Sequence, residues 1–299
     1  MIASLRRMWR VARTELTASL RNRRAVVVTL LFIAVAAMTM YGTISAFAVM
    51  EREVLSGLKL PVSDNPCSVT TALWKSQPFM RIIGRIVGDS LVFADIKGRH
   101  PLLLAYALLL FNIVPFLTLM VSAPRIADDL RSGAVRYWLV RVTRTEWSLG
   151  KFVGEAMTVG FAMLAGAVAA WAVVVWRLPA WDGVHLFGGV LDWTARAWVY
   201  AFGWLGLFMG LSHIVKSGVK AIALCTLAML GAAAWSPMLS NFSEYLPWLD
   251  HLDVLVPQSA SSQLWRRSFP VLFQGVAQLV SLSFVYLLLG VAVFSRRDA

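Results

Sequence analysis

The stretch PRIADDLRSGAVRYWLVRVTRTEWSLGK, residues 124–151, decides how this sequence is read. It holds six basic residues, Arg125, Arg131, Arg136, Arg141, Arg144 and Lys151. It also holds the acids Asp128, Asp129 and Glu146, with Glu155 just beyond. Between the charges lies an apolar middle, Tyr137-Trp138-Leu139-Val140, and long apolar sequence stands on both sides. A connection that had only to reach from one membrane span to the next could be shorter and plainer. Charge around an apolar stripe suggests a cytoplasmic segment that docks on another protein.

Working outward, the 299 residues are 59% hydrophobic and 15% charged, with mean hydropathy +0.68. That balance belongs to a polytopic membrane protein and not to a soluble domain. At about 20 residues per span, the length leaves room for roughly six helices with modest loops. The fold class expected is therefore an all-α membrane protein. Its six spans fall at about 25–49, 101–123, 152–176, 195–215, 219–239 and 269–294. Two cysteines, Cys67 in a polar loop and Cys225 in an apolar run, make no disulfide framework.

Residues 1–24 form a separate N-terminal unit. At 100° per residue, Leu5, Met8, Trp9, Ala12, Leu16 and Leu20 share one helical face, and Arg6, Arg7, Arg10, Arg13 and Arg21 the other. This pattern predicts an amphipathic helix in the cytoplasmic interface, with its arginines at lipid phosphates; the alternative is an unstructured positive tail. Ala46-Phe47-Ala48 resembles a signal-peptidase site, but the apolar run is too long for a signal peptide and reads as an uncleaved anchor. The long outer region 50–100 is punctuated by prolines; a short amphipathic helix over 79–87 would lie on the membrane surface or pack as a lid. Pro115 is expected to kink the second span. Residues 177–192, with Pro179, Gly183, Gly188 and Gly189, read as a short outer loop. Gly203, Gly206 and Gly210 give the fourth span a small-residue packing face. Tyr245, Trp248 and Trp265 suit an aromatic belt.

Basic residues set the orientation. With both termini inside, the inner segments hold seventeen Lys/Arg and six acids, and the outer segments eleven and ten. The inner face is thus +11 and the outer +1, so nearly all of the formal +12 faces the cytoplasm. Membrane insertion accounts for the charge, and no nucleic-acid footprint is needed. The reading is a multi-pass protein of the cell (inner) membrane.

Several chemistries lack their motifs. No G-x-x-x-x-G-K-[ST] loop is present, so the chain itself is not expected to bind ATP or any cofactor. The four histidines, His100, His185, His213 and His251, have no metal-ligand spacing. No intramembrane carboxylate pair suggests a protease or a proton relay, and spans two to five lack an ionisable residue near the midplane. The polar residues inside the spans are mild: Asn112 in the second, and Gln274, Gln278 and Ser281 on one face of the last. They could line a translocation path, form a subunit interface, or bond neighbouring helices at about 1 kcal/mol each.

The central stretch resembles the cytoplasmic segment between the second and third spans of type-2 ABC transporter permeases. The matching features are Pro124, Asp128-Asp129, the step Ser132-Gly133-Ala134, the apolar Tyr137 to Val140, the basic turn Arg141-Val142-Thr143-Arg144, and Gly150-Lys151 entering the third span. Aspartate stands where the family has glutamate, Ala134 where it has threonine, and Val142 where it has the turn proline. The long outer loop after the first span is more similar to the six-span nitrous-oxide-reductase maturation type. The resemblance implies a homodimer of permeases, each bound to a separate cytoplasmic P-loop ATPase that holds the ATP. Asp128, Asp129, Arg131, Gly133, Arg136, Tyr137, Trp138, Arg141, Arg144 and Lys151 would form the coupling helix and its flanks, seated on that ATPase. Membrane lipid is a further partner, and a periplasmic or extracellular one stays open, as do the substrate and the direction of transport. Two other classes remain: an ATP-independent channel or carrier, and a structural membrane assembly protein.

Overall fold

A computed structural model describes residues 2–57, 81, 95, 99–178, 180–242 and 250–296. The expected surface helix over 79–87, Cys67, Tyr245 and Trp248 lie outside the described residues. Among the described residues the regular structure is all helical: α1 (Ile2–Arg21), α2 (Arg23–Gly57), α3 (Pro101–Ser132), α4 (Ala134–Leu139), α5 (Arg144–Arg177), α6 (Ala180–Ser212), α7 (Gly218–Phe242), α8 (Asp250–Asp253), α9 (Ser261–Leu264) and α10 (Phe269–Ser295).

The long helices outrun their expected spans. α2 has 35 residues, α5 has 34 and α6 has 33; at about 1.5 Å per residue each approaches ~50 Å, against ~30 Å for a bilayer's hydrocarbon core. The ends therefore extend past the apolar layer. The first span, expected to stop at 49, continues to Gly57, and residues expected as an outer loop before 195 are helical from Ala180. Glycines misled that reading. A helical glycine costs only about 1 kcal/mol, and Gly189 lies directly against the Leu103 side chain, where a β-carbon would clash.

Among the described residues, five helices are long and apolar enough to cross a membrane: α2, α3, α5, α7 and α10. α6, the expected fourth span, is not among them. It carries Asp192 and Arg196 and is rich in tryptophan and glycine. It packs against α3, α5, α7 and α10, burying Trp193, Tyr200, Trp204 and Phe208. Its charges are met by neighbours: Asp192 pairs with Arg196 and with Arg99.

Contact pairs give the directions. α3 and α6 run side by side the same way: the Tyr106 and Thr194 hydroxyls meet at 3.0 Å near one end, and Ser212 meets Ala123 and Ala127 at the other. α10 follows α6 in the same sense through Gly206 against Ser283 and Gly210 against Tyr286, so the expected glycine face packs as predicted. α5 opposes them, with Trp198 donating to the Ala156 carbonyl and Phe202 against Phe152. α2 runs with α5, Phe32 over Gly166 and Tyr41 stacked on Trp176. Trp265, expected in an aromatic belt, instead packs on Trp193 and Phe111 at centroid distances of 4.7 and 5.4 Å.

Candidate functional site

Residues 124–151 form a turned corner between two long helices. α3 stops at Gly133, whose φ of 73° is the left-handed conformation that ends helices and suits glycine. The six-residue α4 follows, and the amides of Arg141 and Val142 both donate to the Trp138 carbonyl. Thr143 then starts α5 with a capping box: the Glu146 amide donates to Thr143 Oγ1, and the Thr143 amide to Glu146 Oε2.

This corner has two faces. Arg131, Arg136 and Arg141 are exposed, and so are the apolar Tyr137 (83%) and Val140 (84%). Val135 and Val142 are buried, and Trp138 and Leu139 pack half-buried against the core. The apolar middle expected to act as one stripe is thus divided residue by residue.

The charges divide likewise. Arg144 does not face outward as the expected docking role required. Its Nη1 donates to the carbonyls of Phe294 and Ser295 at 3.0 and 2.7 Å, and the guanidinium lies over the Phe294 ring, so it ties α5 to the end of α10. Lys151 is 4% exposed, with Nζ 2.6 Å from both Glu15 Oε2 and Asp129 Oδ2. Arg125 reaches Glu155 at 3.1 Å, Glu15 at 3.9 Å and the Ser19 hydroxyl at 2.8 Å. Three acids and two bases from α1, α3 and α5 therefore share one interior. Burial opposes the charge on Glu15, but the Lys151 ammonium and the Arg125 guanidinium outweigh it and hold the carboxyl below its ordinary range.

α1 enters the site by close packing. Arg7 pairs with Glu146, Val11 lies on Gly150, and Glu15 lies on Gly154. Each pair is 139 residues apart, so α1 runs beside α5 in the same direction. A β-carbon at Gly150 would fall 2.6 Å from Val11 Cβ, and one at Gly154 2.8 Å from Glu15 Cβ. The expected two-faced helix has three faces. Val11, Ala12, Glu15 and Ser19 are buried, Leu5, Trp9 and Leu20 are exposed and apolar, and Arg6, Arg10, Arg13 and Arg21 are exposed and basic. Glu146 accepts Arg7 Nη2 at 2.6 Å, and that bond holds the Arg7 guanidinium above its ordinary pKa.

A joint lies just before the corner. Ser212 of α6 donates to the Ala123 carbonyl at 2.7 Å and accepts from the Ala127 amide at 3.1 Å. Its hydroxyl thereby stands between two groups that an uninterrupted helix would bond to each other, one residue before and three after Pro124. α6 is thus tied to α3 where the charged cluster begins. Pro115 lies within the continuous α3, where Thr118 donates to the Val114 and Pro115 carbonyls.

The polar residues within the spans do not gather. Asn112 is exposed and donates to Leu108 O in its own helix at 2.7 Å. Gln278 bonds Gln263, Ser259 and the Val254 carbonyl, holding α10 to the segment before it. Gln274 and Ser281 are exposed on α10. No shared path through this chain forms from these four.

A family model described as ABC-2 family transporter protein matches residues 9–299. The chain belongs to the ABC-2 transporter family. It is a permease subunit of an ABC transporter and a multi-pass membrane protein. The family identifies a transport subunit and implies a partner ATPase. The match reaches the family and not the nitrous-oxide-reductase maturation subgroup. No curated protein matches the chain.

In this ABC-2 permease the sequence reading gave no role to Glu15, Ser19 and Gly154, and it named Glu146 and Gly150 without their contacts to α1. Signals for three of them were present. Thr143-x-x-Glu146 is a capping box, and Gly150-x-x-x-Gly154 is the spacing that admits a helix backbone. Glu15 and Ser19 were visible only as polar residues on a helix thought to face lipid.

Proposed function

We propose that α4 and the turn after it are the surface on which a separate ATPase seats, and that the faces beneath carry its movement into the spans. The observation that carries this reading is the exposure of Tyr137 and Val140, at 83% and 84%, between the basic Arg136 and Arg141. Apolar side chains on so short a helix, ringed by charge, suit an anchor with a register-setting rim. ATP belongs to the partner, and two permease copies complete the transporter. The chain crosses the membrane six times, α6 included, since α6 runs alongside α3 from Tyr106–Thr194 to Ser212–Ala123. Both ends of the chain lie with α4 on the cytoplasmic side, a reading supported by Arg7 on Glu146 and Arg144 on the Phe294 carbonyl.

The experiment is a Tyr137→Glu, Arg141→Glu double variant, reconstituted with the ATPase that co-purifies with the native chain. Membrane insertion and melting should match the parent, while ATPase co-purification and ATP-dependent transport fall at least tenfold. Parental transport in this variant would remove α4 as the seat.

A further inference from the structure

Beneath α4 lies an open cavity of about 340 Å³ between the α1–α2 corner and α3, within the range of small-molecule sites. Its walls differ in kind. Ala25, Met120 and Val121 form an apolar side, Arg24 and Asp128 stand on the polar side, and Trp138 of α4 forms the roof. The other lining charges are already matched: Lys151 by Glu15 and Asp129, and Arg125 by Glu155. Among the described residues neither Arg24 nor Asp128 makes an ion pair: the Arg24 guanidinium lies 3.9 Å from the Met120 sulfur, and the Asp128 carboxylate lies against Gly218 at the start of α7. One cation and one anion, both exposed and neither in an ion pair among the described residues, therefore border the same cavity.

Their placement suits an amphiphile. Arg24 is the last charged residue before the apolar run that begins at Ala25, the level at which a span leaves the headgroup layer. It stands in the first turn of α2, which contains no acid and two arginines. That helix end therefore has positive charge on its positive dipole end, a combination that a bound anion relieves. The apolar wall beside it would take the glycerol and ester region of a lipid, and Asp128 a cation across the cavity.

We propose that this cavity binds the headgroup of a cytoplasmic-leaflet phospholipid carrying a primary amine, phosphate on Arg24 and ammonium on Asp128. The inference rests on the cytoplasmic placement of α4 proposed above, and not on the ATPase-docking reading. A phosphatidylethanolamine headgroup has both charges and three N–H donors. Phosphatidylglycerol offers no cation to Asp128, and the quaternary amine of phosphatidylcholine has no hydrogen to donate.

The test is native mass spectrometry and thermal melting of the full-length chain in nanodiscs of phosphatidylcholine alone, or with phosphatidylethanolamine or phosphatidylglycerol added. Phosphatidylethanolamine should be retained at least fivefold over the others and should raise the melting temperature. Arg24→Ala should abolish retention. Asp128→Asn should erase the preference for the amine, and Asp128→Glu should restore it; melting in phosphatidylcholine alone checks that each variant is folded. Soluble glycerophosphoethanolamine should not reproduce the shift. Equal retention of the three lipids, a preference that survives in both Arg24→Ala and Asp128→Asn, or a full effect from the soluble compound would each overturn the proposal.

Discussion

Tyr137 on α4 and Val140 just after it are exposed, whereas Trp138 and Leu139, between them in the sequence, are packed against the bundle. The same division separates the arginines. Arg136 and Arg141 point away from the protein, and Arg144 three residues later is bound to the end of α10. A helical turn presents successive residues about 100° apart, so a short helix lying on a protein surface necessarily sorts its residues this way. The comparison teaches that the segment is an interposed piece. Its outer face is exposed, while its inner face packs on α3 and α5. Substitutions on the two faces should therefore fail differently.

The largest effect is expected on the inner side. Lys151→Met leaves Glu15 and Asp129 without their shared cation, and removing one partner of a buried ion pair costs about 3–5 kcal/mol. Denaturant unfolding in detergent should show that loss; parental stability would mean the cluster does not hold α1. Gly154→Leu comes next. Its new side chain meets the Ala12 carbonyl and the Glu15 stem, and overpacking of this kind costs about 1–3 kcal/mol. Limited proteolysis should cut α1 faster in that variant, and an unchanged cleavage rate would argue against close α1–α5 packing.

A paired test sharpens the contrast most directly. Trp138→Ala should destabilise by about 2 kcal/mol, below the full cost of a buried tryptophan because the residue is half-buried. Tyr137→Ala should shift stability by no more than about 0.5 kcal/mol, as exposed substitutions do, while weakening ATPase co-purification. Equal stability losses at the two positions would erase the distinction between the faces.

The smallest effect is a pH dependence. The Glu15 carboxyl is held below its ordinary value of 4.5, so its contribution is complete above that pH and is lost as pH falls through the lower folded value. Protease access to α1 should rise only in that acid range, and Glu15→Gln should remove the pH step. Release of α1 near neutral pH would contradict the pairing.

Much of this was readable beforehand, for identifiable reasons. Apolar runs mark long helices because a bilayer demands them. Gly203, Gly206 and Gly210 announced a packing face, and it meets α10. The corner at Gly133 was visible as a Ser-Gly-Ala step, since glycine alone adopts its backbone angle without strain. Other features were misread because local signals are ambiguous. Gly188 and Gly189 suggested a loop, yet α6 passes through them. Trp265 suggested a membrane belt, yet it packs on Trp193.

By itself the sequence determined the membrane class, the charged stretch between two spans and the family resemblance. All of these depend on composition and on spacing along one stretch of chain. Only the tertiary structure decided which charges remain outside. Lys151 and Arg136 look alike in sequence, but Glu15 and Asp129 are brought to the first and, among the described residues, no acid to the second. That outcome depends on α1 lying against Gly150 and Gly154, 139 residues further along the chain. Burial and ion pairing are set by such long-range approaches, and spacing within a segment carries no record of them.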